Sequence, residues 1–105
     1  MPAYWLARAR VNDPVEYKKY TDRVPAILAK YGAKVLTRGG RYQTLEGAEK
    51  FNRFIVIEFP TFEQGVACFN SKEYQDAAAF RRRNKAGENE LVMVEAGEGE
   101  PAKAR

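Results

Sequence analysis

Four charged side chains and a tyrosine carry most of the chemistry this sequence could do. In AYWLARARV, residues 3–11, strict alternation sets Trp5, Ala7, Ala9 and Val11 on one side of a strand and Tyr4, Leu6, Arg8 and Arg10 on the other. In RFIVIEF, residues 53–59, Ile55, Ile57 and Phe59 share one side, and Phe54, Val56 and Glu58 share the other. If these strands are neighbours, Arg8 and Glu58 fall on one face, Arg38 joins them from AKVLTR, and Tyr4 stands beside them. A guanidinium holds a carboxylate by two-point contact, so Arg8 or Arg38 could grip an anionic ligand while Glu58 orients the guanidinium or acts as a base. A structural Arg8–Glu58 ion pair that fixes sheet register or dimer contacts would satisfy the same residues. Tyr4 suits an interface as well as a pocket wall or a proton donor.

A further arginine stands out in FNSKEYQDAAAFRRRN, residues 69–84. A helix turns successive residues by about 100°, so Arg81, Arg82 and Arg83 fan out rather than form one basic cluster. Only Arg81, seven residues from Tyr74, shares its face. It is expected to reach back toward the fold, either pairing with a carboxylate or lining the mouth of the cleft. Arg82 and Arg83 read as solvated charges that favour a helix C-terminus. Cys68, the only cysteine, lies well past the first turn of its helix, with no histidine to activate it, and reads as a small buried residue. The glycine pair in TRGGRYQTLEG has neither P-loop nor dinucleotide spacing and reads as a bulge or turn.

The chain contains no histidine. That removes the usual base near neutral pH, the usual haem ligand and the commonest metal ligand. Neither a metal nor a cofactor is expected. The net charge of +4 is spread out: residues 1–71 carry 11 basic and 7 acidic side chains, residues 72–85 carry 5 and 2, and residues 86–105 carry 2 and 5. Nucleic-acid binders concentrate charge into a stripe, so this distribution speaks against that partner. No apolar run approaches the roughly 20 residues of a membrane span, and MPAYWLARAR lacks the order of a secretory signal, so a cytoplasmic protein is expected. At 105 residues with 45% hydrophobic residues, the chain has room for one core.

The elements that must position these residues follow from local pattern. Asp13, Pro14 and Glu16 begin a helix with a capping box, Tyr17, Tyr20, Val24, Ile27, Leu28 and Tyr31 form its buried stripe, Pro25 kinks it, and Gly32 ends it in a left-handed cap. AKVLTR is a second strand stopped or bulged at Gly39-Gly40, with RYQTLEG as an extension before a polar loop at 47–51. After Pro60, Thr61 and Gln64 open a helix with Phe62, Val66 and Phe69 inward, and Ser71 restarts it with Tyr74, Ala77, Ala78 and Phe80. ELVMVE is the last strand. The order is that of the α+β, ferredoxin-like split βαβ pattern, an antiparallel sheet with helices on one face. A single domain over 1–95 and a flexible tail over 96–105 are expected. Tyr4, Leu6, Leu36, Phe54 and Val56 would be bare on the other face, which predicts a homodimer packed sheet to sheet.

The blocks AYWLARARVNDPVEYKKY, YGAKVLTRGGRYQTLEG and FIVIEFPTFEQGVACFNSKEYQ, with Arg81, together resemble the domain-of-unknown-function family 1330 along nearly the whole chain to about residue 95. Lys72 stands where the family's NSPEYQ has proline, and Ala33 where a second glycine often follows Gly32. The resemblance implies a dimeric α/β barrel of ferredoxin-like subunits. That superfamily holds cofactor-free monooxygenases, haem enzymes and small isomerases, and the lack of histidine speaks against the haem and histidine-base branches. The expected function is binding of a small anionic or aromatic metabolite in a cleft. A cofactor-independent monooxygenase or isomerase, or a structural module without ligand, are the alternatives, and Tyr4, Arg8, Arg38, Glu58 and Arg81 are the ligand-binding candidates.

Overall fold

A computed structural model describes residues 1–97. The chain runs β1 (Ala3–Val11), α1 (Pro14–Thr21), α2 (Val24–Lys30), β2 (Lys34–Arg38), β3 (Arg53–Phe59), α3 (Phe62–Asn70), α4 (Lys72–Arg82), a short 3₁₀ turn (Arg83–Lys85) and β4 (Gly87–Glu95). The four strands form one antiparallel sheet in the order β2-β3-β1-β4. This is the α+β, ferredoxin-like arrangement, with β1 and β3 adjacent at the centre and the helices on one face.

Local chemistry sets the helix starts. The Asp13 carboxylate accepts from the amides of Val15 and Glu16, which stabilises α1. The Glu16 side chain does not reach back to complete the box; it pairs with Lys19 and Arg83, and the Asp13 amide donates to the Ala86 carbonyl instead. Thr61 caps α3 through the Gln64 amide and Ser71 caps α4 through the Tyr74 amide. Gly32 holds the expected left-handed conformation at φ +73°. The single kinked helix expected over this stretch is two helices. The chain breaks after Thr21, and Pro25 lies in the first turn of α2, where its missing amide donor costs nothing.

The core lies between the sheet and the helices. Trp5 is at its centre, stacked on Phe59 at 5.7 Å and meeting Tyr74 edge-on at 5.3 Å. Ala3, Trp5, Ala7 and Ala9 are buried on β1 with Ile57 and Phe59 on β3, which is the alternation expected from the sequence. Phe62, expected inward, is 36% exposed at the start of α3.

The opposite face of the sheet is bare. Leu6, Val92 and Val94 are exposed, and Leu6 and Val92 with Arg8, Phe54, Val56 and Glu90 bound a broad depression of about 600 Å³. RYQTLEG is not a strand: residues 39–52 form a loop in which Tyr42 packs on Phe54 at 4.8 Å between ring centres. The bulge in β2 falls between Val35 and Thr37, ahead of the glycine pair, and Gly39 and Gly40 both take positive φ where the strand ends. Leu36, expected on the bare face, is the inserted residue and is itself exposed. Ala96, placed in the tail by the sequence, donates its amide to the Pro2 carbonyl; residues 98–105 of that segment lie outside the described residues.

Candidate functional site

The three charges expected to converge on the bare face do not meet. Glu58 stands opposite Tyr4 on β1 and Lys34 on β2, while Arg8 stands opposite Phe54 and Glu90. Arg8 and Glu58 are therefore four strand positions apart, roughly 13 Å at the usual rise per residue. Arg8 turns to β4 and bonds Glu90 at 2.8 Å, and its guanidinium covers the Phe51 ring at 4.4 Å. Sharing a face decides neither register nor which neighbour a long side chain chooses.

Arg38 is on the other side of the sheet altogether. Across the bulge the pairing changes phase: Val35 faces Ile57, Thr37 faces Val56 and Arg38 faces Ile55. One extra residue in a strand inverts the alternation beyond it, so Arg38 joins the helix-facing side. There it lines a cavity of about 420 Å³ between the sheet and the α1–α2 joint. Trp5, Tyr17 and Tyr20 supply aromatic wall, and Arg53 and Asn89 supply polar groups from β3 and β4.

The polar groups of this cavity are only partly matched. Arg53 lies 5.9 Å over the Tyr17 ring, and its Nε is buried without a hydrogen-bond partner among the described residues. The Asn89 amide nitrogen donates to the Tyr17 hydroxyl at 3.3 Å, leaving Asn89 Oδ1 buried and, among the described residues, unpartnered. A phenol can donate or accept, so Asn89 can turn either end of its amide and always keeps one polar atom free. Asp22, the carboxylate at the rim, is held by Lys18 at 2.9 Å. Among the described residues Arg38 has no ion-pair partner, so the cavity wall carries two guanidinium groups against one carboxylate already bonded elsewhere.

Arg81 reaches back into the fold, as its spacing from Tyr74 requires, but it meets no carboxylate among the described residues. It is 5% exposed, donates from Nη2 to the Tyr74 hydroxyl at 3.2 Å, and lies 5.1 Å over the Tyr20 ring. Tyr74 and Tyr20 join hydroxyls at 2.7 Å. Burial, reinforced by Tyr74, pushes the Tyr20 phenol well above its ordinary pKa, with Arg81 pulling the other way. Arg82 and Arg83 are exposed; the first bonds Gln75 and the second Glu16. Cys68 is fully buried, and desolvation pushes its thiol up to about 11. Among the described residues no group of three or more histidine, cysteine or acidic side chains could hold a metal ion, and no helix is long and apolar enough to cross a membrane.

Sequence reasoning missed Arg53 and Asn89. The signal was present: Arg53 alternates with Ile55, Ile57 and Phe59, and Asn89 with Leu91 and Met93, so each is a polar group on an otherwise apolar, helix-facing row.

The family model for a domain of unknown function, DUF1330, matches residues 2–97, and the chain belongs to that family. No curated protein matches it. Among solved structures it is similar to the RPA0582 protein of unknown function from Rhodopseudomonas palustris, at 20% identity over 89% of this chain and 80% of that one, with a TM-score of 0.68. It is also similar to SnoaB, a cofactor-independent oxygenase from Streptomyces nogalater, at 16% identity over 95% and 97% of the two chains and a TM-score of 0.61. A third is a dimeric protein of unknown function and ferredoxin-like fold from Bacteroides fragilis, at 14% identity over 90% and 95% and a TM-score of 0.58. These likenesses establish the fold.

Proposed function

Proceeding from that membership, we propose that this protein binds a small, planar, anionic metabolite in the helix-facing cavity, as a homodimer packed through the bare sheet face. The observation that carries the binding reading is the pair of unpartnered buried polar atoms, Arg53 Nε and Asn89 Oδ1, in an aromatic cavity whose rim carries Arg38. Buried polar groups are nearly always bonded, so an orphan guanidinium donor and the free end of a carboxamide on one wall define what the guest must bring. An oxygen anion answers Arg53, a hydroxyl, which can donate or accept, answers whichever end of the Asn89 amide is free, and a flat ring fills the space beside Trp5 and Tyr17. A volume of about 420 Å³ lies within the roughly 300–1,000 Å³ usual for such sites and admits a one-ring or two-ring molecule.

The dimer reading is supported by the exposed Leu6, Val92 and Val94 and by the description of the Bacteroides fragilis relative as dimeric.

A thermal-shift panel of aromatic acids, hydroxylated aromatic acids and aliphatic acids tests the binding reading. Stabilisation by hydroxylated aromatic acids, lost in Arg53→Gln, is expected. A flat response to the whole panel sinks the reading.

A further inference from the structure

Glu58 is half-buried on the bare face, between Tyr4 on β1 and Lys34 on β2, and among the described residues it makes no ion pair, not even with Lys34. Arg8 is only half used: its Nε and Nη2 both donate to Glu90 Oε1, which leaves Nη1 without a partner among the described residues. The two residues stand symmetrically about one apolar row. Leu6 pairs with Val56 on one side and Val92 on the other; Arg8 lies two residues along β1 from Leu6, and Glu58, opposite Tyr4, lies two residues from that row the other way. Each is roughly 7 Å from the row along the strands. A two-fold axis in the plane of a sheet-to-sheet interface, running across the strands over Leu6, Val56 and Val92, exchanges the two ends. It lays the apolar row on its own copy and brings the Arg8 row of each protomer over the Glu58 row of the other, with the two residues offset sideways by one strand spacing, about 4.8 Å. An arginine side chain spans that offset. An axis along the strands would set each row on its own copy instead, and Glu58 would then meet no arginine.

Resting on the dimer reading above, we propose that two copies pack about the axis across the strands, with Arg8 of each bonded to Glu58 of the partner subunit, so that two reciprocal ion pairs flank an apolar centre of Leu6, Val56 and Val92 and fix the register of the dimer. A carboxylate that loses water to an arriving sheet needs a cation. Arg8, held by Glu90 and lying over the Phe51 ring, is already positioned to supply one. The ion pair missing within the chain is made between chains.

The test is sedimentation equilibrium of the full chain and its charge reversals, alone and mixed. Glu58→Arg sets arginine against arginine at both ends, and Arg8→Glu, carried with Glu90→Gln to remove an internal repulsion, sets carboxylate against carboxylate; each should raise the dimer Kd by about ten-fold or more. Mixed one to one, each chain supplies the charge the other lacks at both ends, and the mixed dimer should recover to within about three-fold of the wild type. Glu58→Gln, a change of one atom that keeps the test open if a reversal fails to fold, should raise the Kd about two- to three-fold. If Glu58→Arg recovers with Lys34→Glu and not with the Arg8 variant, the axis runs along the strands and the proposal is overturned. If neither mixture recovers, or the Glu58 variants dimerise as the wild type does, the register fails and the dimer reading stands. A wild type that is monomeric at micromolar concentration ends both.

Discussion

Arg38 stands opposite Ile55 across the β2–β3 ladder, on the side of the sheet that the helices cover. That one register relationship moves an arginine from the bare face to the cavity and separates it from Arg8, which bonds Glu90 on the other side.

Replacing each arginine in turn separates the two faces. Arg38→Ala should weaken binding of an aromatic carboxylate several-fold, because a hydrogen bond to a charged partner contributes roughly 1.5–3 kcal/mol and less at an exposed rim. Arg8→Ala should leave binding unchanged and alter unfolding stability by no more than about 1 kcal/mol, since Arg8 and Glu90 are 54% and 53% exposed. Calorimetric titration and urea unfolding check both; a binding loss confined to Arg8→Ala would put the site on the wrong face.

Period-two patterning in AYWLARARV and RFIVIEF made the two strands and their buried sides legible in the sequence, and the split βαβ element order made them central neighbours. Arg38 was misplaced because the bulge at Val35–Thr37 leaves no mark in KVLTR: no glycine or proline sits within it, and the glycine pair that drew attention lies beyond it. Arg8 and Glu58 were rightly put on one face, yet a face carries no register, and register comes from pairing along both neighbours of β1. Tyr17 and Tyr20 were read as core from helix periodicity. They are core, and they are also cavity wall, because the break after Thr21 opens the space between α1 and α2.

The start of β4 should tolerate no side chain. A β-carbon on Gly87 would run into the ring of Tyr17, which is itself buried against Tyr20 and bonded to Asn89. Gly87→Ala should cost about 1–3 kcal/mol of stability, and it should weaken ligand binding as well by displacing Tyr17 and Asn89. Unchanged denaturation and binding curves would mean that Tyr17 is not held where this packing puts it.

Cys68 should behave as a buried apolar group. With its thiol pushed up to about 11 by desolvation, it stays protonated at pH 8, and a thiol reagent should label it only as fast as the protein opens. The unfolded thiol ionises near pH 9 and the folded one near 11, so its contribution is complete below pH 9 and is lost as pH rises through 11. The decline in stability across that window should be smaller in Cys68→Ala than in the wild type. Rapid labelling of the folded protein at pH 8 would contradict the buried thiol.

The bare face carries a separate prediction. Val92→Asp or Leu6→Glu, both at exposed apolar positions, should convert a dimer into a monomer at micromolar concentration while leaving the core intact. Sedimentation velocity checks this; a wild type that is already monomeric would leave the exposed face without its proposed partner.

The central claim is that the ligand enters on the helix side, between Trp5, Tyr17, Arg53 and Asn89. The most direct measurement is a titration of ¹⁵N-labelled protein with 2-hydroxybenzoate, observing the Trp5 indole and Asn89 side-chain amide signals beside the backbone amides of Leu6, Phe54 and Val92. Saturable shifts at Trp5 and Asn89, with the bare-face amides still, are the predicted result. Shifts confined to Leu6, Phe54 and Val92, or no shift at millimolar ligand, would contradict it.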